Sequence, residues 1–214
     1  MTTAEIHYYI DQGLQRMGYF VHDHFEQQEI DVHINKVIRD SIKALHAQKQ
    51  FDKLYPLIKL YVREDNLVPF TYSDENIGRL EMPYIKVPFP SNYFLFTSAS
   101  IRAHVSECTA SLKSPVKTIP VVVRYEHEED NVLSNPYSRT SNKKVLSFFT
   151  DTGIKVYTDK RVIIKGIFIN YICKPTALDV VSYPERTPDL GEAVHDQIAD
   201  LTIEVLKRII EKTE

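Results

Sequence analysis

The chain is poor in the residues that mark the commonest chemistries. Only two cysteines occur, Cys108 and Cys173. They lack the CxxC spacing of a metal or redox site, so they read as reduced residues of a core or a strand edge. Glycine is scarce too, at six in 214 residues. None is arranged as GxGxxG or GxxxxGK[ST], so no phosphate cradle and no nucleotide site is predicted. GxSxG and HExxH are absent, and neither cysteine has a neighbouring histidine to activate it. No apolar run approaches the roughly 18 residues that a membrane span needs. The opening MTTAEIHYYIDQ places acids and polar residues where a signal peptide has a basic end and an apolar stretch. A net charge of -3 gives no overall basic field. Binding to nucleic acid or an anionic membrane would need a local patch. These absences point to a protein made in a cytoplasm that remains soluble there, without cofactor, metal site or enzymatic activity.

What is present is an ordinary globular composition, 43% hydrophobic and 26% charged, in a chain of 214 residues, long enough for one substantial core or two small ones. The longest helical signal runs from Asp23 to Ala47. Ile30, Ile34, Val37, Ile38 and Leu45 share one face, with Ser41 in the stripe and Lys36, Arg39 and Lys43 opposite. Asp23 and Glu26 have the spacing of a capping box. Residues 3 to 17 predict a shorter helix, with Ile6, Tyr9, Ile10, Leu14 and Met17 in phase and a left-handed cap at Gly18. Together the two predict a helical hairpin. Leu54, Leu57, Ile58 and Tyr61 continue the helical spacing, shortened or broken by Pro56.

From about residue 66 the pattern turns to strands: Asn92 to Val105, Thr118 to Tyr125, a hairpin of Val145 to Phe149 with Ile154 to Thr158, and Arg161 to Cys173. Gly153 is expected at positive φ in the hairpin turn. Residues 126 to 144 read as a surface loop, acidic and then basic around an Asn-Pro turn. Lys174-Pro175 ends the last strand. A final helix from about Gly191 to Lys212 has a predicted stripe of Val194, Ile198, Leu201, Val205 and Ile209, widened by Leu206 and Ile210. The predicted class is α+β: a single domain over 1-214, helical in 1-65, mainly β in 66-175 and closed by the helix in 176-214. The terminal helices are expected to pack with a central antiparallel β region, the Asp23 to Ala47 helix chiefly on the C-terminal one.

Candidate sites are few. His22 and His24 have the donors for a metal if Asp31 joins them, but read as surface histidines at a helix start. Tyr93, Phe94 and Phe96 offer stacking faces to single-stranded nucleic acid, yet lack interleaved Lys or Arg and fit a strand core better. The acidic run Glu126, Glu128, Glu129 and Asp130 suits a docking loop, a cation site or a solvated face. His195 fits either a buried or an exposed position.

Several short patterns occur in one order. Phe25, Glu29, Ile30, Asp31, Ile34 and Asn35 open the long helix. Phe89, Pro90, Asn92 and Tyr93 enter a strand, and Leu133, Asn135, Pro136 and Tyr137 end the polar loop. Ile154, Val156 and Tyr157, then Tyr171, Ile172, Lys174 and Pro175, mark two strands. Leu190, Glu192, His195, Ile198 and Leu201 open the last helix. In this order the chain resembles the head-to-tail connector proteins, the neck or ring proteins, of short-tailed crAss-like bacteriophages of Bacteroidetes. It departs from their pattern at Gly191, usually Pro, at Asn92, usually Asp, and at Tyr137, usually Phe. The resemblance implies a structural virion protein without catalysis, assembled in the host cytoplasm. Such proteins form a homo-oligomeric ring below the portal protein, usually of twelve copies, extend the DNA channel and dock tail components. Packaged DNA passes through without sequence-specific binding. The expected interface is Glu126, Glu128, Glu129, Asp130, Asn135, Pro136, Tyr137 and Arg139. The competing class is a small host-interaction or nucleic-acid-binding module, and a third is a hydrolase whose site is assembled in space.

Overall fold

The computed structural model describes residues 1–20, 24–64, 84–105, 116–135, 137, 140–141, 143–158 and 162–213. It is an α+β protein with two compact units: residues 1–58 with 173–214, and residues 59–172.

The first unit holds three long helices, α1 (Thr3–Arg16), α2 (Gln27–Ala47) and α4 (His195–Thr213). Helix α1 begins with a capping box: Glu5 N–H donates to Thr2 Oγ1 at 3.2 Å and Thr2 N–H donates to Glu5 Oε2 at 2.8 Å. It ends as expected at Gly18, φ 91°. There Tyr19 N–H reaches the Leu14 carbonyl and Gly18 N–H the Gln15 carbonyl, the paired bonds of a Schellman cap. Helix α2 starts four residues later than the pattern suggested. Glu26 is its N-cap, its N–H bonded to Glu29 Oε2 at 2.9 Å; Asp23 lies outside the described residues. At the other end Lys49 takes the left-handed position, φ 58°, in a second Schellman cap closed by Gln50 N–H on the Leu45 carbonyl.

All five stripe residues of α2 are buried, and Ile42 joins them. Each such aliphatic contributes about 1.5–3 kcal/mol relative to exposure. Lys36, Arg39 and Lys43 face outward. Both α1 and α2 pack principally on α4. The hairpin expected of α1 and α2 is thus a three-helix arrangement with the C-terminal helix shared. That sharing moves the buried stripe of α4. Ala199, Thr202 and Ile203 are buried along with Ile198, Leu206 and Ile210, whereas Leu201 is 39% exposed and Val205 and Ile209 are half-buried. Two neighbours require a broad stripe centred on small residues, and Thr202 satisfies its hydroxyl on the Ile198 carbonyl at 2.7 Å.

Residues 174–191, the connection into α4, are held as a strap. Asn35 brackets Leu178, Nδ2 donating to its carbonyl and Oδ1 accepting its N–H, both at 2.8 Å. One turn earlier, the buried Asp31 accepts the Val180 N–H at 3.0 Å and meets His7 Nε2 at 2.8 Å. Arg186 and Pro184 carbonyls take the Thr3 and Ala4 N–H groups at the start of α1. The Asp179 carboxyl is held below the usual carboxylate range by hydrogen bonds from Ser182, and it also accepts the Val181 N–H. His195 is buried, its Nε2 on the Leu190 carbonyl at 3.0 Å and its Nδ1 beside the Met1 amine at 2.9 Å.

The second unit is a seven-stranded sheet: β1 (Ile58–Arg63), β2 (Tyr84–Pro88), β3 (Tyr93–Val105), β4 (Val116–Tyr125), β5 (Val145–Thr150), β6 (Gly153–Tyr157) and β7 (Val162–Cys173). The order is β1-β7-β3-β4-β5-β6-β2. Residues 58–63, expected to prolong a helix, form β1 instead. The 3-10 turn Tyr55–Leu57 around Pro56 ends the helical region, and the following Ile-Lys-Leu-Tyr-Val alternation belongs to a strand. The sheet is not wholly antiparallel, because β4 and β5 run parallel, Val121 opposite Val145. Parallel neighbours need a crossover, and the segment expected as a surface loop supplies it. It contains a 3-10 turn, Glu126–Glu128, and a short helix, α3 (Glu129–Ser134).

Inward residues of the strands form one cluster, including Ile85 and Val87 of β2, Ile101 of β3, Ile119 of β4, Val145 of β5, Ile154 and Val156 of β6 and Ile164 and Ile167 of β7, with Tyr61 of β1 against it. Outer strands β1 and β2 therefore share a core, and Arg63 Nη1 donates to the Lys86 carbonyl at 2.9 Å. The sheet curls until its two edges meet. Curling is assisted in β7, where the buried phase slips between Ile164 and Ile167, as at a bulge around Gly166. In the β5–β6 turn Gly153 is not at positive φ. A Cβ there would lie 2.0 Å from the Val87 carbonyl oxygen, so glycine serves the close approach of β2.

Two substitutions test these assignments. Lys49→Gly removes left-handed strain and is expected to stabilise the protein by up to about 1 kcal/mol, raising the midpoint of thermal unfolding by roughly 2–4 °C. Asn35→Ala strands two backbone groups of Leu178 and is expected to cost about 1–3 kcal/mol, with a loss of hydrogen-exchange protection at the Leu178 amide.

Candidate interface at the β4–β5 crossover

The acidic run leaves the end of β4 and turns over the outward side of β5 and β6. Outward residues there are Leu146 and Phe148 of β5 and Tyr157 of β6, a small second core against which Val132, Leu133 and Tyr84 pack. Thus β5 is buried on both faces, which explains its unbroken apolar run.

An ion pair draws the crossover onto the sheet. Lys155 Nζ, outward on β6, donates to Glu126 Oε1 at 2.9 Å and Glu129 Oε2 at 3.1 Å. The Tyr157 hydroxyl donates to Glu129 Oε1, and Lys155 lies 5.9 Å from the centre of the Tyr84 ring. Burial opposes the Lys155 charge, but its bonds to Glu126 and Glu129 outweigh that and raise its pKa above the ordinary lysine value. The same hydrogen bond from Lys155 holds the Glu126 carboxyl below the usual range. Glu128 faces Arg124 at 3.8 Å.

The expected interface residues therefore divide. Glu126 and Glu129 serve the fold, Glu129 with a side chain only 17% exposed. Glu128 is partly occupied by Arg124. Asp130 and Asn135 are exposed. Asn135 Oδ1 accepts the Tyr137 N–H at 3.0 Å, and Tyr137 stands 91% exposed, the most open large apolar residue described. Pro136 and Arg139 lie outside the described residues. Lys155, Tyr157 and Tyr84 were missed from sequence. Their signal is a lysine on an alternating strand opposite an acid-rich segment, which has meaning only once the parallel pairing of β4 and β5 is known.

The other candidates resolve locally. Phe96 packs edge-on to Phe149 at 5.2 Å, and Phe89 stacks on Tyr93 at 3.9 Å; Tyr93, Phe94 and Phe96 are all half-buried. Burial pushes the Tyr93 hydroxyl up. His22 lies outside the described residues, and Asp31 has both oxygens engaged. Among the described residues no group of three or more His, Cys, Asp or Glu is placed to hold a metal ion. His33 is kept below its ordinary pKa by burial and then by Lys36. Cys173 is buried and forms no disulfide among the described residues; Cys108 lies outside the described residues. No described helix is long and apolar enough to cross a membrane. No protein-family model and no curated protein matches the chain.

Lys155→Met tests the docking of the crossover. The substitution is expected to cost about 1–2 kcal/mol at neutral pH, as loss of hydrogen bonds to charged groups does. A lowered carboxyl pKa stabilises above the unfolded value and is lost as pH falls through the folded one. The gap in melting temperature between parent and variant should therefore close on acidification through and below the carboxylate range.

Proposed function

We propose that this chain is a subunit of the bacteriophage head-to-tail connector, one copy in a ring below the portal that extends the DNA channel and docks tail components. The resemblance supplies the idea. The observation that carries it is the division of the outward sheet surface. Helix α3 and its turn pack over β5, β6 and β2, whereas among the described residues the outward side of the β1-β7-β3-β4 half carries exposed apolar side chains. Leu60 and Val62 of β1, Ile163 of β7 and Val122 of β4 are between 39% and 56% exposed there; the same strands carry the exposed Arg102, 5.3 Å from the Phe168 ring and 3.4 Å from Glu64, and Arg124, 3.8 Å from Glu128. Apolar side chains set among arginines suit contact with protein better than with water. In a ring each copy covers such surface on its neighbour or on the adjoining layer. A chain of net charge -3 also suits a conduit that lets DNA slide, since few phosphates would be neutralised.

Native mass spectrometry of the purified chain, alone and with the portal protein, tests the proposal. A closed homo-oligomer, or a ring formed on portal particles, is expected. A strict monomer that never joins portal-containing particles would defeat the proposal. Tight binding of DNA by the isolated chain, falling steeply with salt, would favour the nucleic-acid-binding module.

A further inference from the structure

Beside α4 runs a trough of about 430 Å³ whose apolar lining is Tyr9 and Gly13 of α1, Met17 at its C-cap, and Ile203 of α4. Tyr9 is 42% and Met17 51% exposed, so large apolar surface stands open to water. Gly13 sets the floor, since a Cβ there would come 2.4 Å from Ile203 Cδ1. Asp200 and Glu204 form the α4 rim. They continue a row of carboxylates at four-residue spacing, Glu192, Asp196, Asp200 and Glu204, all exposed. The helix dipole favours acids in the first turn, which accounts for Glu192 and Asp196. It does not account for Asp200 and Glu204, and like charges four residues apart weaken a helix. Only Arg208, 3.8 Å from Glu204, offsets the row from within α4.

The same chain carries the complement. Val32, in the second turn of α2, the longest described helix, is 63% exposed. Lys36, Arg39 and Lys43 follow it at steps of four, three and four, all exposed. From Lys36 to Lys43 the rise is about 10 Å, and from Asp196 to Glu204 about 12 Å, so the two rows match in length. Asp40 interrupts the basic row and accepts a hydrogen bond from Lys43 at 3.3 Å, and Arg16 sits on the α1 rim of the trough.

We infer, building on the ring proposed above, that the occupant of the trough is α2 of a second copy. Val32 seats against Tyr9 and Met17, and Lys36, Arg39 and Lys43 lie along Asp196, Asp200 and Glu204. The two patches differ, so the contact is heterologous. Each copy offers one surface and accepts the other, the arrangement that closes into a ring.

A charge-swap experiment on the full chain tests the contact. One variant carries Asp200→Lys with Glu204→Lys; the other carries Lys36→Glu with Arg39→Glu. All four positions are exposed, and circular dichroism checks that both variants fold. Each variant alone is expected to lose self-association by at least about tenfold, because like charges then face each other. An equal mixture is expected to recover it as an alternating oligomer, read by native mass spectrometry. Raising salt from low to physiological strength should weaken the parent oligomer. A parent oligomer with both variants assembling as the parent does would overturn the contact and leave the ring standing. A mixture of folded variants that fails to recover would do the same. An Asp200→Lys, Glu204→Lys variant that self-associates normally but no longer joins another virion component would overturn the contact and assign the trough to that protein instead. A parent chain that stays monomeric at every concentration, alone and with portal, would overturn the contact and the ring together.

Discussion

Two carboxamide and carboxylate side chains one helical turn apart hold together segments that the sequence separates by well over a hundred residues. Asn35 and Asp31 of α2 take up the backbone of Leu178 and Val180, and His7 joins Asp31 from α1. A segment such as 174–191, with no ladder of its own, must find partners for its N–H and carbonyl groups. It finds them on α2 and at the start of α1, and so arrives at α4 in a fixed register. That register sets which residues of α4 meet its two neighbours. Asp31 and Asn35, four residues apart near the start of α2, thus serve to bind main chain, with Glu29 closing the first turn.

The sheet solves a different problem. Seven strands of uneven length with one apolar face cannot bury that face while flat. Curling brings β1 and β2 together over a shared core; the buried phase of β7 slips at Gly166, and Gly153 under Val87 allows the close approach of β2. The parallel pair β4 and β5 then forces the chain across the outward surface, where one lysine fixes the crossover. Burial of the Lys155 charge is tolerable because two carboxylates and a ring face surround it.

What could be read in advance depended on how local its cause was. The α+β class, the long helices, the Gly18 cap and five of the strands follow from short-range periodicity. The stripe of α4 was misplaced because large residues, Leu201 and Val205, were weighted above Ala199 and Thr202, which become central only when two helices converge on one. Ile58 to Arg63 fits a helix or a strand over so short a span, and pairing with β7 decides between them. At the candidate interface the acids were visible, but the partner of Glu126 and Glu129 lies more than twenty residues away on β6. Nothing in the acidic run itself shows that two of its members face inward. Tyr137 and Asp130 were legible as surface residues because their surroundings are polar on both sides in sequence.

The meeting of β1 with β2 also bears on how crowded copies of this chain behave. An open sheet edge invites any passing strand to continue the ladder, and the growth that follows has no natural end. Here the Lys86 carbonyl is already occupied by Arg63, while Pro88 removes a donor and the exposed Lys86 adds charge on the same strand. Backbone recruitment along β2 is blunted at all three points. Association between copies is thereby left to side chains, whose fit is selective and stops when the matching surfaces are used up.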